Sequence, residues 1–120
     1  MIMRLMCKSK IHRARIKKVD MHYEGSIGID KSIMAAADIL PYEMVHVLNV
    51  TNGARFETYA ITERQGSGVV ALYGAAAHLG ALDDIVIILT YALLDEKAAK
   101  TLKPGIVRVD SANRITRRKS

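Results

Sequence analysis

Apolar residues recur at every second position over much of the chain, and alternation with a period of two marks strands that turn one face inward. "EMVHVLNV" and "RFETYAIT" alternate in this way on either side of "TNG" at residues 51–53. An Asn-Gly pair between such runs predicts a hairpin, because both residues tolerate positive φ. Gly66 and Gly68 mark the next turn, and "VVALY" after them predicts a buried strand. "DIVIILTYALL" is apolar enough to predict a central strand covered on both faces. Residues 13–20 interleave more loosely, as a strand with one wet face, and "IVRVD" predicts a last strand.

Short helices punctuate this pattern. Asp30 can accept the unpaired amides of a first turn, so "KSIMAAAD" predicts a helix through Ala37 that Pro41 ends. "GAAAHLG" at 74–80 predicts a tight turn opening a short helix. Asp95 caps "EKAAKTL" before Pro104 and Gly105 stop it. The sum is six to eight short strands with two or three small helices. A small closed β-barrel accommodates them, because closure removes edges that would otherwise stay unpaired.

A chain of 120 residues suits one domain, 1–120, and half of its residues are hydrophobic. Aromatics are 5 % and tryptophan is absent, so the core must be aliphatic. Cys7 is the single cysteine and can form no internal disulfide, which fits a reducing compartment. The longest apolar run, Ile85 to Leu94, is about half the length that spans a bilayer. Arg4, Lys8 and Lys10 interrupt the N-terminus where a secretory signal would be apolar. The expectation is a cytoplasmic protein without a membrane partner. Residues 1–18 carry seven Lys or Arg and no acid, and Arg114, Arg117, Arg118 and Lys119 crowd the other end, within a net charge of +6. Such tracts serve as a nucleic-acid footprint, as an attractor of small anions, or simply as solvated faces.

Familiar catalytic signatures are missing: no phosphate-cradling glycine loop, no HExxH, no CxxC and no nucleophile elbow. His12, His22, His46 and His78 lack metal-ligand spacing, and Asp83-Asp84 reads as a turn, so no metal is expected. The remaining oddity is "HYEGSIGID" at 22–30, where Gly25 and Ser26 stand at the start of a strand pattern. One reading is a bend, since Gly-Ser is common in turns. The other is a bond that breaks: a serine hydroxyl can attack the carbonyl before it, and glycine leaves that carbonyl unhindered. The attack needs a strained backbone and a stabilised oxyanion. β-Elimination would then release the upstream chain and leave dehydroalanine, which hydrolyses to a pyruvoyl group.

Four stretches in register decide between these readings. "SKIHRARI" at 9–16, "HYEGSIGID", "NVTNGARFETYAI" at 49–61 and "GAAAH" at 74–78, with "GALDDIVII" after it, resemble the aspartate 1-decarboxylase family over residues 3 to 110. The resemblance implies a six-stranded double-psi β-barrel, a homotetramer, and self-processing between Gly25 and Ser26 into fragments 1–25 and 26–120. Ser26 would become a pyruvoyl group that forms a Schiff base with L-aspartate, acting as the electron sink that PLP provides elsewhere. No PLP and no metal would be needed. Carbon dioxide would leave, and β-alanine would supply pantothenate synthesis.

The same resemblance implies individual roles. Tyr59 matches the tyrosine that returns the proton, a task suited to a neutral phenol. Arg55 matches the arginine that pairs with a substrate carboxylate. Thr58 matches a residue that contacts substrate and assists cleavage. Gly74, Ala75 and Ala76 match a substrate-binding backbone loop, Lys10 and His12 a basic pair near the site, and Tyr23 the tyrosine upstream of the scissile bond. Tyr73 departs from the pattern, which has asparagine there, and so bears on processing and substrate fit. Alternation sets Arg55, Glu57 and Tyr59 on one face of their strand and Thr58 on the other. Thr58 and Tyr59 therefore share a site only through a twist or bulge, or across a subunit boundary. A nucleic-acid-binding barrel and an unprocessed, inactive homologue are the alternatives, and a role for a maturation factor stays open.

Overall fold

The computed structural model describes residues 1–119. Its elements are β1 (Met3–Arg15), β2 (Lys18–Asp20), β3 (Ser26–Asp30), α1 (Lys31–Ala36), β4 (Met44–Asn49), β5 (Arg55–Glu63) and β6 (Val70–Tyr73). A 3-10 helix (Gly74–Leu79), β7 (Ile85–Asp95), α2 (Glu96–Ala99), β8 (Gly105–Val109) and β9 (Ile115–Lys119) follow. The class is mainly β with a few short helices.

Strand pairing runs β2–β6–β3–β5–β4–β7–β1–β8–β9. β1 and β2 are one extended segment interrupted only at residues 16–17, where Ile16 exchanges backbone hydrogen bonds with Asp83 and Asp84. Lys17 N–H already donates to Val70 O, at 2.8 Å, ahead of the β2–β6 pairing. The pairing thus leaves residues 3–20 through β7 and returns to them through β6, linking six segments in a circuit. β8 and β9 are added outside β1, and β9 lies beyond the last strand that the pattern predicted.

Ile11, Ile16, Ile27, Ile29, Ile33, Leu72 and Ile88 are fully buried together with five valines, an aliphatic core as the composition required. Fully burying one such side chain is worth about 1.5–3 kcal/mol, whereas an exposed ion pair is worth about 0–1 kcal/mol. Packing, rather than the Arg4–Glu96 or Lys17–Asp83 pairs, therefore holds the fold.

The helix caps form where the acids predicted them. Asp30 accepts from Ser32 N–H and Oγ, and also from the amides of Gly66 and Gly68, so one buried carboxylate fixes both α1 and the 66–68 turn. Burial opposes its charge, but these hydrogen bonds outweigh it and hold the Asp30 carboxyl below its ordinary pKa. Asp95 caps α2 through Ala98 N–H.

Three local readings change. β1 starts at Met3, ten residues before the strand read from alternation, because its cations lie on the solvent face while Ser9, Ile11 and Ala14 turn inward. β7 is central, between β1 and β4, but only Val86, Ile88 and Thr90 are buried; the opposite face is half-covered. In the β4–β5 connection only Gly53 takes positive φ, at 79°. The loop is built instead by Asn49, whose Oδ1 accepts from Thr51 and Asn52 N–H.

Candidate active site

Ser26 opens β3 directly opposite Tyr73, the last residue of β6. It is 1 % exposed, yet the four residues before it are all exposed. The Gly25–Ser26 bond therefore marks the point where an open loop enters the sheet. The Ser26 hydroxyl donates a long hydrogen bond, 3.4 Å, to Glu24 O.

Gly74 lies against the loop that carries that bond and has no room for a side chain. Its φ is +62°, and a Cβ there would stand 2.6 Å from Gly25 Cα, 2.7 Å from Gly25 N and 2.9 Å from Tyr23 O. Backbone thus presses on backbone, which only glycine allows. A Cβ on Gly25 would meet Ala75 N and Tyr73 O only at 3.8 Å, an ordinary contact, so the steric demand for glycine falls on Gly74. Alternation in β6 runs out here, and the 3-10 helix turns the 74–76 backbone toward the loop.

A cavity of about 560 Å³ opens beside Ser26, lined by Tyr23, Glu24, Ser26, Pro41, Tyr42, Tyr59, Ile61 and Thr62. Tyr59 reaches it from β5, 37 % exposed, with its ring 6.2 Å from that of Tyr42. Ser26, Tyr23 and Tyr59 are brought together from two separate motifs, and Gly25, Gly74 and Ala75 sit against the same loop.

Tyr73 is buried and does not line the cavity. Its ring packs against that of Tyr23 in a tilted pair, centroids 4.7 Å apart and planes at 51°, and Lys18 Nζ stands 5.4 Å from the ring centroid. Its hydroxyl donates to Glu63 Oε2 at 2.6 Å. Burial first, and then the bond to Glu63, raise the Tyr73 phenol far above its ordinary pKa, so it remains a neutral donor.

The other residues singled out from sequence lie elsewhere in the chain. Arg55 is exposed opposite Leu48, and Thr58 is half-buried opposite Val45; no register shift in β4–β5 turns Thr58 toward Tyr59's face. Lys10 lies in β1 between Leu89 and Ile106. His12 lines a second cavity of about 270 Å³ with Arg13, Arg15, Arg108 and Asp110. Its Nδ1 is buried without a partner; burial, followed by Lys10, Arg108 and Arg13, holds the imidazole below its ordinary pKa. A bulge between Ile11 and Ala14, with Arg13 at φ 64°, bends β1 at this point. Among the described residues no group of three or more His, Cys, Asp or Glu could hold a metal.

Sequence reasoning missed Asn49 and Glu63. Asn49 Nδ2 donates to Leu79 O and to Asp84 Oδ2, tying the "NVTNG" loop to the segment after the 3-10 helix. The signal was present, since Asn before a turn commonly folds back on backbone amides. Glu63 carried no local signal, because its partner Tyr73 lies across β3.

A glycine without room for a side chain, a buried serine and a tyrosine-lined cavity thus meet at one end of β3. Comparison with known proteins gives the chain its family. The aspartate decarboxylase family model matches residues 1–116. The aspartate 1-decarboxylase of Syntrophobacter fumaroxidans is 57 % identical over 92 % of this chain and 90 % of its own length. Those of Syntrophus aciditrophicus, at 55 % over 93 % and 97 %, and of Dehalococcoides mccartyi, at 56 % over 96 % and 93 %, are similarly related. A rationally designed protein of known crystal structure is similar at a TM-score of 0.48 and 15 % identity, over 64 % of this chain and 90 % of that one. The chain belongs to the aspartate decarboxylase family.

Proposed function

We propose that this chain cuts its own Gly25–Ser26 bond and then decarboxylates L-aspartate to β-alanine and carbon dioxide, the β-alanine feeding pantothenate synthesis as the family role implies. The observation that carries the reading is Ser26, almost wholly buried, at the wall of a cavity shared with Tyr59 while Gly74 presses on Gly25. In the first step the Ser26 oxygen adds to the Gly25 carbonyl carbon, the C–N bond breaks, and the hydroxyl proton passes to the Ser26 nitrogen, leaving an ester. Loss of the Ser26 α-proton expels the Gly25 carboxylate and leaves dehydroalanine. Water then replaces nitrogen, ammonia departs, and fragment 26–120 begins with a pyruvoyl group. When present, that group withdraws electrons from the substrate as carbon dioxide leaves.

The chain's own residues do the rest. Tyr59 holds a proton at its phenolic oxygen on the cavity wall and returns it to the substrate carbon. Gly74 and Ala75 lie beside the Gly25 end of the loop rather than on the cavity wall, so backbone amides of Gly74, Ala75 and Ala76 meet a ligand that takes that end's place. Arg55, Thr58, Lys10 and His12 do not line the cavity of their own protomer, so a homotetramer in which a neighbour supplies them reconciles their positions with roles at substrate. Guanidinium and ammonium groups suit a dicarboxylate.

The nucleic-acid reading is not favoured by family membership. It also loses charge, since Arg4, Lys8 and Lys17 pair with Glu96, Glu43 and Asp83. Denaturing mass spectrometry of the purified chain, warmed without any maturation factor, tests the reading. Fragments 1–25 and 26–120 are expected, the second lighter by one ammonia than a serine-started chain, and Ser26→Ala stays whole and inactive. An intact chain that consumes aspartate would overturn it.

A further inference from the structure

The loop that carries the scissile bond is poorly anchored. From Met21 to Gly25 every residue is exposed, and the side-chain hydrogen bonds that hold it are His22 N–H to Asp20 Oδ1 and the long one from Ser26 to Glu24 O. Self-cleavage needs the Gly25 carbonyl kept within reach of the Ser26 oxygen, and small misplacements of reacting atoms cost large factors in rate. Something must hold the loop.

One side-chain contact does so from beneath. Tyr23, 54 % exposed, packs its ring at a tilt of 51° against the buried ring of Tyr73. Tyr73 is opposite Ser26 in the β3–β6 register, so their side chains share one face of the sheet. The ring is fixed at its far end, where the hydroxyl donates to Glu63 from the end of β5. Glu63 can reach it because Gly28 leaves a slot on that face, two residues from Ser26: a Cβ on Gly28 would overlap the Glu63 carboxylate, standing 2.8 Å from its Cδ and 2.9 Å from its Cγ. Three residues on three strands therefore form one brace, and the brace ends on the residue two before the scissile carbonyl. Asparagine, the residue of the family pattern at this position, offers no ring against which Tyr23 could pack.

We propose that Tyr73, braced by Glu63 in the slot left by Gly28, is a positioning residue for self-cleavage: its ring holds Tyr23 and so fixes the Tyr23–Gly25 segment against the Ser26 hydroxyl. The inference rests on the self-cleavage reading above. Tyr73 acts through Tyr23 rather than on the reacting atoms, so its loss slows formation of fragments 1–25 and 26–120 and leaves their identity unchanged.

Cleavage rate, followed by denaturing mass spectrometry on freshly purified chain, is the readout. Tyr23→Ala alters an exposed side chain and leaves the core alone; it is expected to slow cleavage roughly tenfold, the scale of one lost aromatic pair. Tyr73→Ala is expected to slow it similarly, and the double variant no further, because both changes remove the same contact. Tyr73→Phe keeps the ring and loses only its tether, giving a smaller decline of about two- to threefold. Gly28→Ala expels Glu63 and should match Tyr73→Phe. A folded Tyr23→Ala chain that cleaves at the native rate overturns the proposal, whatever happens to the buried variants; so does a double variant whose losses multiply. The native chain run alongside separates the two levels. If it never cleaves, the self-cleavage reading falls and this one with it. If it cleaves and the variants match it, only the brace is wrong.

Discussion

Tyr59 and Thr58 are neighbours in sequence and are divided by the strand they share. β5 pairs with β4 without a bulge, so Tyr59 reaches the Ser26 cavity while Thr58 faces the other way, half-buried against Val45's strand. Removing the Tyr59 hydroxyl alone separates two chemistries that a larger change would confound. Tyr59→Phe should form fragments 1–25 and 26–120 at close to the native rate, and lose kcat for aspartate by about 10²–10⁴-fold, the span of a general acid. Turnover within a few-fold of native would remove Tyr59 from the proton transfer. The residue types of the site were legible; that Arg55, Thr58, Lys10 and His12 sit away from the cavity was not, because alternation gives a face and never a distance.

At the scale of elements, polar side chains buried at strand ends do more than the exposed ion pairs. Asn49 is 2 % exposed, and its side chain makes four hydrogen bonds, two within the β4–β5 loop and two that join it to the 79–84 segment. Asn49→Ala leaves the Thr51 and Asn52 amides without their acceptor, while Leu79 O and Asp84 keep Asn52 Nδ2 and Ala81 N–H, at a cost of about 1–3 kcal/mol in chemical denaturation. Asn52→Ala, at an exposed position, should cost clearly less. Equal losses would show that the Asn49 bonds are replaced by water. Helices α1 and α2 were legible because a cap acts within three residues. The start of β1 was not, since Arg4, Lys8 and Lys10 masked the inward side chains between them.

The whole molecule should weaken toward acid, and the sign follows from two groups. His12 has its folded pKa below the ordinary 6.5, so the unfolded chain binds the extra proton and stability declines as pH falls below about 6.5, then levels once the folded chain is protonated too. Asp30 has its folded pKa below 3.8; its contribution is complete above that value and is lost as pH falls through the folded pKa. Urea midpoints of the uncleaved Ser26→Ala chain should therefore drop between pH 7.5 and 5.5, and His12→Gln should flatten that drop. A midpoint that rises toward pH 5.5 would contradict the assignment for His12.

Period, caps and turn residues were enough to determine a mainly β chain with an aliphatic core, the positions of α1 and α2, and the motifs that place the family, because each acts over a few residues. The tertiary structure alone decided that residues 3–20 pair at both ends with different strands, that Gly74 bears on Gly25, and that Glu63, Tyr73 and Tyr23 line up across β3. Those contacts join residues from ten to more than ninety positions apart, as Glu63 with Tyr73 and Met3 with Asp95, and no local periodicity encodes which distant strand will lie alongside.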